Sequence, residues 1–233
     1  MRRLSVTLAL AFVTGCATGG GARSGATVSD ADFGRLRAGQ TGPVDQARLF
    51  EASAKDEQAR AKLRLQQGQQ EDQLAKADEQ TAKAAAGRAQ AEAKMASDSR
   101  EPAQLEQARK LKEQADAQQR AANAHADYAK RMLSARKAAV DAADKQVALG
   151  EARVELARLQ ALQQASIPAA GKYDMAKFQA RVDAAQKDFD AALQKTRDQE
   201  AQASAAQRTF EDARAQAQAQ TVPLGEPTGT GAR

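Results

Sequence analysis

Between residues 173 and 220, Met175, Val182, Phe189, Thr196, Ala203 and Phe210 stand seven positions apart, with Phe178, Ala185, Ala192, Gln199 and Ala206 in a companion row. A seven-residue repeat with two apolar positions marks a helix that buries one stripe against another helix. The pattern predicts a helix over 173–220 whose seam is anchored by Phe178, Val182, Phe189 and Phe210. A preceding helix, 101–165, carries Leu133, Val140, Val147, Val154 and Ala161 at the same spacing, partnered by Ala129, Ala143 and Ala157. From Tyr128 onward it adds a second stripe of Met132, Leu149, Leu156, Leu159 and Leu162. A helix apolar over that much of its circumference is expected to pack against two neighbours.

A third helix, 45–97, has the weakest row: Leu49, Ala59, Leu63, Leu74, Ala77, Ala84, Ala91 and Met95, interrupted by Gln66, Gln70 and Arg88. Gly68 and Gly87 loosen it by about 1 kcal/mol each relative to alanine. The breaks between helices coincide with proline. Ser97–Pro102 reads as a turn in which Ser99 caps the next helix, and Ser166–Asp174 places Pro168 and Gly171 together with Asp174 as the restart cap. The expected fold is therefore all-α: an elongated antiparallel three-helix coiled coil over 44–220. At 1.5 Å per residue its members are roughly 80, 100 and 70 Å long.

Composition agrees with this reading. Aromatic residues make up 3% of the chain, tryptophan is absent, and 28% of residues are charged, too little large apolar bulk for a conventional core. A thin alanine-rich core also allows self-association into a homo-oligomer. Acids stand four residues before bases at Asp72/Lys76, Glu106/Lys110, Asp116/Arg120, Asp127/Arg131 and Asp141/Lys145, pairs that support exposed helix by about 0.2–0.5 kcal/mol each.

Candidate chemistry is sparse. His125 is the sole histidine and Cys16 the sole cysteine, which excludes an intramolecular disulfide and a multi-histidine metal centre. Acid pairs such as Glu211-Asp212 lie on helices without the desolvated pocket that acid–base catalysis needs, so no enzyme and no cofactor are expected. The net charge of +5 is spread among interleaved acids and bases without aromatic platforms, which argues against nucleic acid as a partner.

The first residues carry the most specific motif. Arg2-Arg3 precedes an apolar run from Leu4 to Val13, the layout of a secretory leader, and that run is far short of the ~20 residues that span a bilayer. It ends in Val13-Thr14-Gly15-Cys16. This motif resembles the lipobox of bacterial lipoproteins. The resemblance implies a signal peptide over 1–15, cleavage before Cys16, and covalent lipid on Cys16, with two or three acyl chains holding the protein stably to a membrane. With Ala17 rather than aspartate after the cysteine, it further implies the periplasmic face of the outer membrane. Loss of Arg2 and Arg3 with the leader would leave 33 basic against 30 acidic side chains, or +3.

Residues 16–43 are Gly/Ser-rich and are expected to form a flexible tether on the order of 30 Å long; 221–233 are expected to be a disordered tail. The helical body is similar to the alanine-rich coiled-coil domains of small bacterial lipoproteins, some of which accompany peptidoglycan-binding modules. The resemblance implies a non-enzymatic scaffold or adaptor whose partners are envelope proteins or peptidoglycan. The alternative is an accessory part of an export or efflux assembly. Arg131-Met132-Leu133-Ser134 resembles the Arg-Leu-Ser element of adaptor hairpin tips, although it falls mid-helix.

Overall fold

The computed structural model describes residues 27–99 and 101–220. A four-residue helix, α1 (Asp30–Phe33), and a 3-10 turn (Ala38–Gln40) lead into α2 (Gly42–Ser99). Two further long helices follow, α3 (Pro102–Gln164) and α4 (Met175–Gln220), with a second 3-10 turn (Pro168–Lys172) between them. The long helices hold 58, 63 and 46 residues. They start and stop where the prolines require. Pro102 takes the first turn of α3, where its missing N–H costs nothing. Asp174 caps α4 by accepting from the Ala176 N–H at 3.0 Å. Ser99 does not cap α3: it lies at the end of α2 and its hydroxyl donates to the Ala96 carbonyl, while Glu101 occupies the capping position.

The exit from α3 is a tight reversal. The Ile167 N–H reaches back to the Leu162 carbonyl at 3.0 Å, which requires a left-handed residue between them. Ser166 fills that position with φ 55°.

The three long helices pack together with α3 in the middle. α2 and α4 each lie along α3, and no comparable packing joins them to each other. Across α2 and α3, Glu51 meets Gly150, Gln58 Nε2 donates to Asp144 Oδ1 at 2.7 Å, and Asp78 meets His125. Across α3 and α4, Arg153 Nη2 donates to Gln186 Oε1 at 2.9 Å, Asp141 lies 3.8 Å from Lys195 Nζ, and His125 stacks on Phe210. On both sides, partner numbers fall as α3 numbers rise.

The row of α4 that faces inward contains Phe178, Ala192, Thr196, Ala203 and Ala206 as buried residues, with Val182, Phe189 and Phe210 half-buried among them. On α3, Val154 is buried while Leu133, Val140 and Val147 are half-buried; Leu149, Leu159 and Leu162 are more deeply enclosed.

α2 departs from expectation. Leu49, Ala59, Leu63, Leu74, Ala77, Ala84, Ala91 and Met95 are all exposed. The inward row is Ala47, Ala54, Ala61, Gly68, Ala75, Ala82, Ala89 and Ala96, small at every position and buried or half-buried throughout. The physical reason is close approach. Alanine and glycine let helix axes come near the lower end of the 8–10 Å range, where a leucine would hold them apart. At Gly150 the Glu51 Cα lies only 3.0 Å from where a Cβ would stand.

Several ion pairs differ from the simple four-residue reading. Asp72–Lys76, Glu106–Lys110 and Asp127–Arg131 form as expected. Asp116 instead pairs with Lys112, and Asp141 reaches Lys195 on α4.

Candidate anchoring site at the base of the helices

Among the described residues, the largest buried apolar cluster lies where α2 begins, α3 ends and α4 begins. Val28, Leu159, Leu162, Ala170 and Phe178 form a buried cluster, bordered by Phe33, Leu36, Ile167 and Tyr173. Val44, Ala157 and Ala161 form an adjoining one that shares Phe33 and Leu36. Residues 27–41, assigned to the flexible tether, are therefore a folded part of the base. Val28, Phe33 and Leu36 supply apolar area that the open ends of the long helices would otherwise expose to water.

A polar clasp holds this segment. Ser29 caps α1 by accepting from the Asp32 N–H at 3.1 Å, and its hydroxyl donates to Asp32 Oδ2 at 2.9 Å. The Tyr173 hydroxyl donates to the same carboxylate oxygen at 2.8 Å and accepts from the Ser29 N–H at 3.0 Å. Lys172 Nζ and Arg35 Nη2 stand 3.6 and 3.8 Å from Asp32 Oδ1. The hydrogen bonds from Tyr173 and Ser29, followed by these two cations, hold the Asp32 carboxyl below its ordinary range against the opposing effect of burial.

A second set fastens the other side of the segment. The Val28 N–H donates to Glu155 Oε2 at 2.8 Å, and Arg158 Nη1 donates to Glu155 Oε1 at 3.0 Å. Arg158 Nη2 also pairs with Asp30, and its guanidinium lies 4.7 Å from the centroid of the Phe33 ring. Burial disfavours the Arg158 charge, but the hydrogen bonds it donates to Asp30 and Glu155, together with their negative charges, outweigh it and raise the guanidinium's pKa. One arginine thus ties α3 to both polar and apolar groups of the incoming chain.

Val13, Thr14, Gly15 and Cys16 lie outside the described residues. Among the described residues, the structure gathers Val28, Ser29, Asp30, Asp32, Glu155, Arg158, Phe178 and Tyr173 at the base. Sequence reasoning found only Phe178 of these as a seam residue. For Ser29 and Asp32 the available signal was Ser29-x-x-Asp32 ahead of Phe33 and Leu36, a capping pattern before apolar residues; Glu155, Arg158 and Tyr173 had none.

His125 occupies a different place. It sits half-buried on α3, with Nδ1 3.7 Å from Asp78 on α2 and its ring 4.7 Å from that of Phe210 on α4. Among the described residues no group of three or more His, Cys, Asp or Glu side chains is placed to hold a metal, and no helix is long and apolar enough to cross a membrane. Comparison with known families, with curated proteins and with solved structures gives no match for this chain.

Proposed function

We propose that this chain is a lipid-anchored envelope protein whose helices form an elongated, antiparallel three-helix coiled coil, serving as a non-enzymatic scaffold or adaptor. In this reading Cys16 carries the lipid and the helical body stands off the membrane, on the periplasmic face of the outer membrane, to meet envelope proteins or peptidoglycan. The observation that carries the reading is the Val13-Thr14-Gly15-Cys16 motif after a short apolar run. The base clasp fastens residues 28–36 to the ends of α3 and α4, twelve residues after Cys16. Twelve residues reach at most about 40 Å. A body held by such a lead would be oriented by its base, with the α2–α3 turn as the far end.

The position of Leu133 supports a scaffold over a tip-docking export component. Leu133 lies in the middle of α3 and is half-buried, away from any helix end. The anchor is tested by fractionating cells that express the Cys16→Ala variant. The reading expects the variant to leave the membrane fraction with its helicity unchanged; retention in the outer membrane would overturn the anchor.

A further inference from the structure

Side chains from all three long helices meet in layers along one side of α3. Near the base, the Arg153 guanidinium lies 4.6 Å from the centroid of the Phe50 ring on α2 and donates to Gln186 on α4. Farther along, His125 meets Asp78 on α2 and Phe210 on α4. The two layers stand four seven-residue repeats apart on α2 and on α3 alike. Two repeats farther, the same rows arrive at Glu92 and Leu111. These two residues line one open groove of about 270 Å³, together with Met95, Ala96 and Ala108.

This third layer lacks its member from α4. The helix ends at Gln220, and Ala217, one turn earlier, is still buried in the seam. Because α4 numbers rise as α3 numbers fall, two repeats from His125 to Leu111 carry the α4 position from Phe210 to residue 224. That residue is leucine. Leu224 also continues the seam row of Met175, Val182, Phe189, Thr196, Ala203 and Phe210, through the buried Ala217, at unbroken seven-residue spacing. Register across the helix pair and spacing along the chain name the same side chain.

We propose that Val222-Pro223-Leu224 of this same chain covers the groove, with Leu224 set against Leu111 and Met95. Pro223 has no N–H to continue the helix and turns Val222 toward extended backbone, so α4 gives way to a strap at this point. The reach is sufficient. Four residues from Gln220 to Leu224 extend to at most about 14 Å, whereas Leu111 lies only about 6 Å past the level of Gln220 along α3 at 1.5 Å per residue. Seating Leu224 there removes apolar surface from water at the end of the hairpin remote from the clasp. Composition assigns 221–233 to a tail; the groove assigns the first of these residues to the seam. The strap does not rest on the proposed anchor.

The test uses the full chain carrying Cys16→Ser, with a single reporter thiol at Leu111→Cys or at Met95→Cys. Alkylation of either thiol is expected to be at least about tenfold slower with Leu224 in place than with Leu224→Asp, as for a groove covered about nine parts in ten. A control thiol at Leu74→Cys, exposed on α2 outside the groove, should label at one rate in both backgrounds. Circular dichroism should show equal helicity throughout. Equal labelling of the groove thiols with and without Leu224→Asp would overturn the proposal. Slow labelling that persists in Leu224→Asp would overturn it too, by giving the groove to another segment. Protection that fades on dilution would give it to a second copy and overturn it likewise. Cys16 is replaced in every chain, so failure here is distinct from failure of the anchor.

Discussion

The Tyr173 hydroxyl donates to Asp32 Oδ2 at 2.8 Å across 141 residues of sequence. The same hydroxyl accepts from the Ser29 N–H, so one side chain after α3 makes two of the hydrogen bonds that hold the α1 segment. Tyr173→Phe keeps the ring against Phe178, with centroids 6.2 Å apart, and removes only the hydroxyl. Amide exchange over residues 28–36 should accelerate roughly tenfold, the effect of losing about one net hydrogen bond. Exchange in the middle of α3 should stay unchanged. Uniform acceleration would mean that the base and the long helices open as one unit.

The clasp should also respond to acid. Because Asp32 has a lowered pKa in the folded chain, its stabilising contribution is complete above its unfolded value, 3.8. It is lost as pH falls from there through the lower folded value, where the carboxylate takes up a proton and ceases to attract Lys172 and Arg35. Thermal melts followed through tyrosine fluorescence in a Tyr128→Phe background, where Tyr173 at the base is the remaining reporter, should fall more steeply between about pH 5 and 2 with Asp32 present than with Asp32→Asn. Parallel curves would show that other carboxylates control acid unfolding.

Two glycines should respond oppositely to alanine. Gly87 is exposed on α2 with open space where a Cβ would stand, so Gly87→Ala should stabilise by about 1 kcal/mol through helix propensity. At Gly150 the Glu51 Cα blocks the same methyl at 3.0 Å. Gly150→Ala should destabilise by about 1–3 kcal/mol as α2 is pushed off α3. Denaturant midpoints measured side by side check the pair.

Ser166 carries a left-handed backbone at the end of α3, a conformation that costs a non-glycine residue about 1–2 kcal/mol. Ser166→Gly should therefore raise stability by about 1 kcal/mol. A loss of stability would show that the serine hydroxyl contributes more than the backbone strain removes.

The parts of the fold legible in the sequence are those with large residues in the seam. In α4, Phe189 and Phe210 fall on one seven-residue row and Phe178 on its companion, and the inward face follows them. In α2 the reasoning that favours large apolar residues selected the wrong face. Its packed row is alanine and glycine, which contribute by permitting close approach rather than by bulk, while its leucines point outward. Small seam residues leave little contrast between faces, so apolar size alone cannot orient such a helix.

The base was hidden for another reason. Residues 27–41 are short, glycine-containing and polar, which reads as a linker until Val28, Phe33 and Leu36 are brought against Leu159 and Phe178 from the far end of the chain. Contacts such as Asp32–Tyr173 and Val28–Glu155 join positions more than 120 residues apart, and no local period encodes them. Only the Ser29-x-x-Asp32 cap was available locally.

We propose that Cys16 begins a lipid-bearing mature protein whose helical body is held by its base. This is tested most directly by intact mass spectrometry of the chain extracted from bacterial envelopes. The account predicts a protein that starts at Cys16, lacks residues 1–15, and carries the added mass of acyl chains on that residue. A chain that retains Met1–Gly15, or one cleaved elsewhere with an unmodified Cys16, would contradict it.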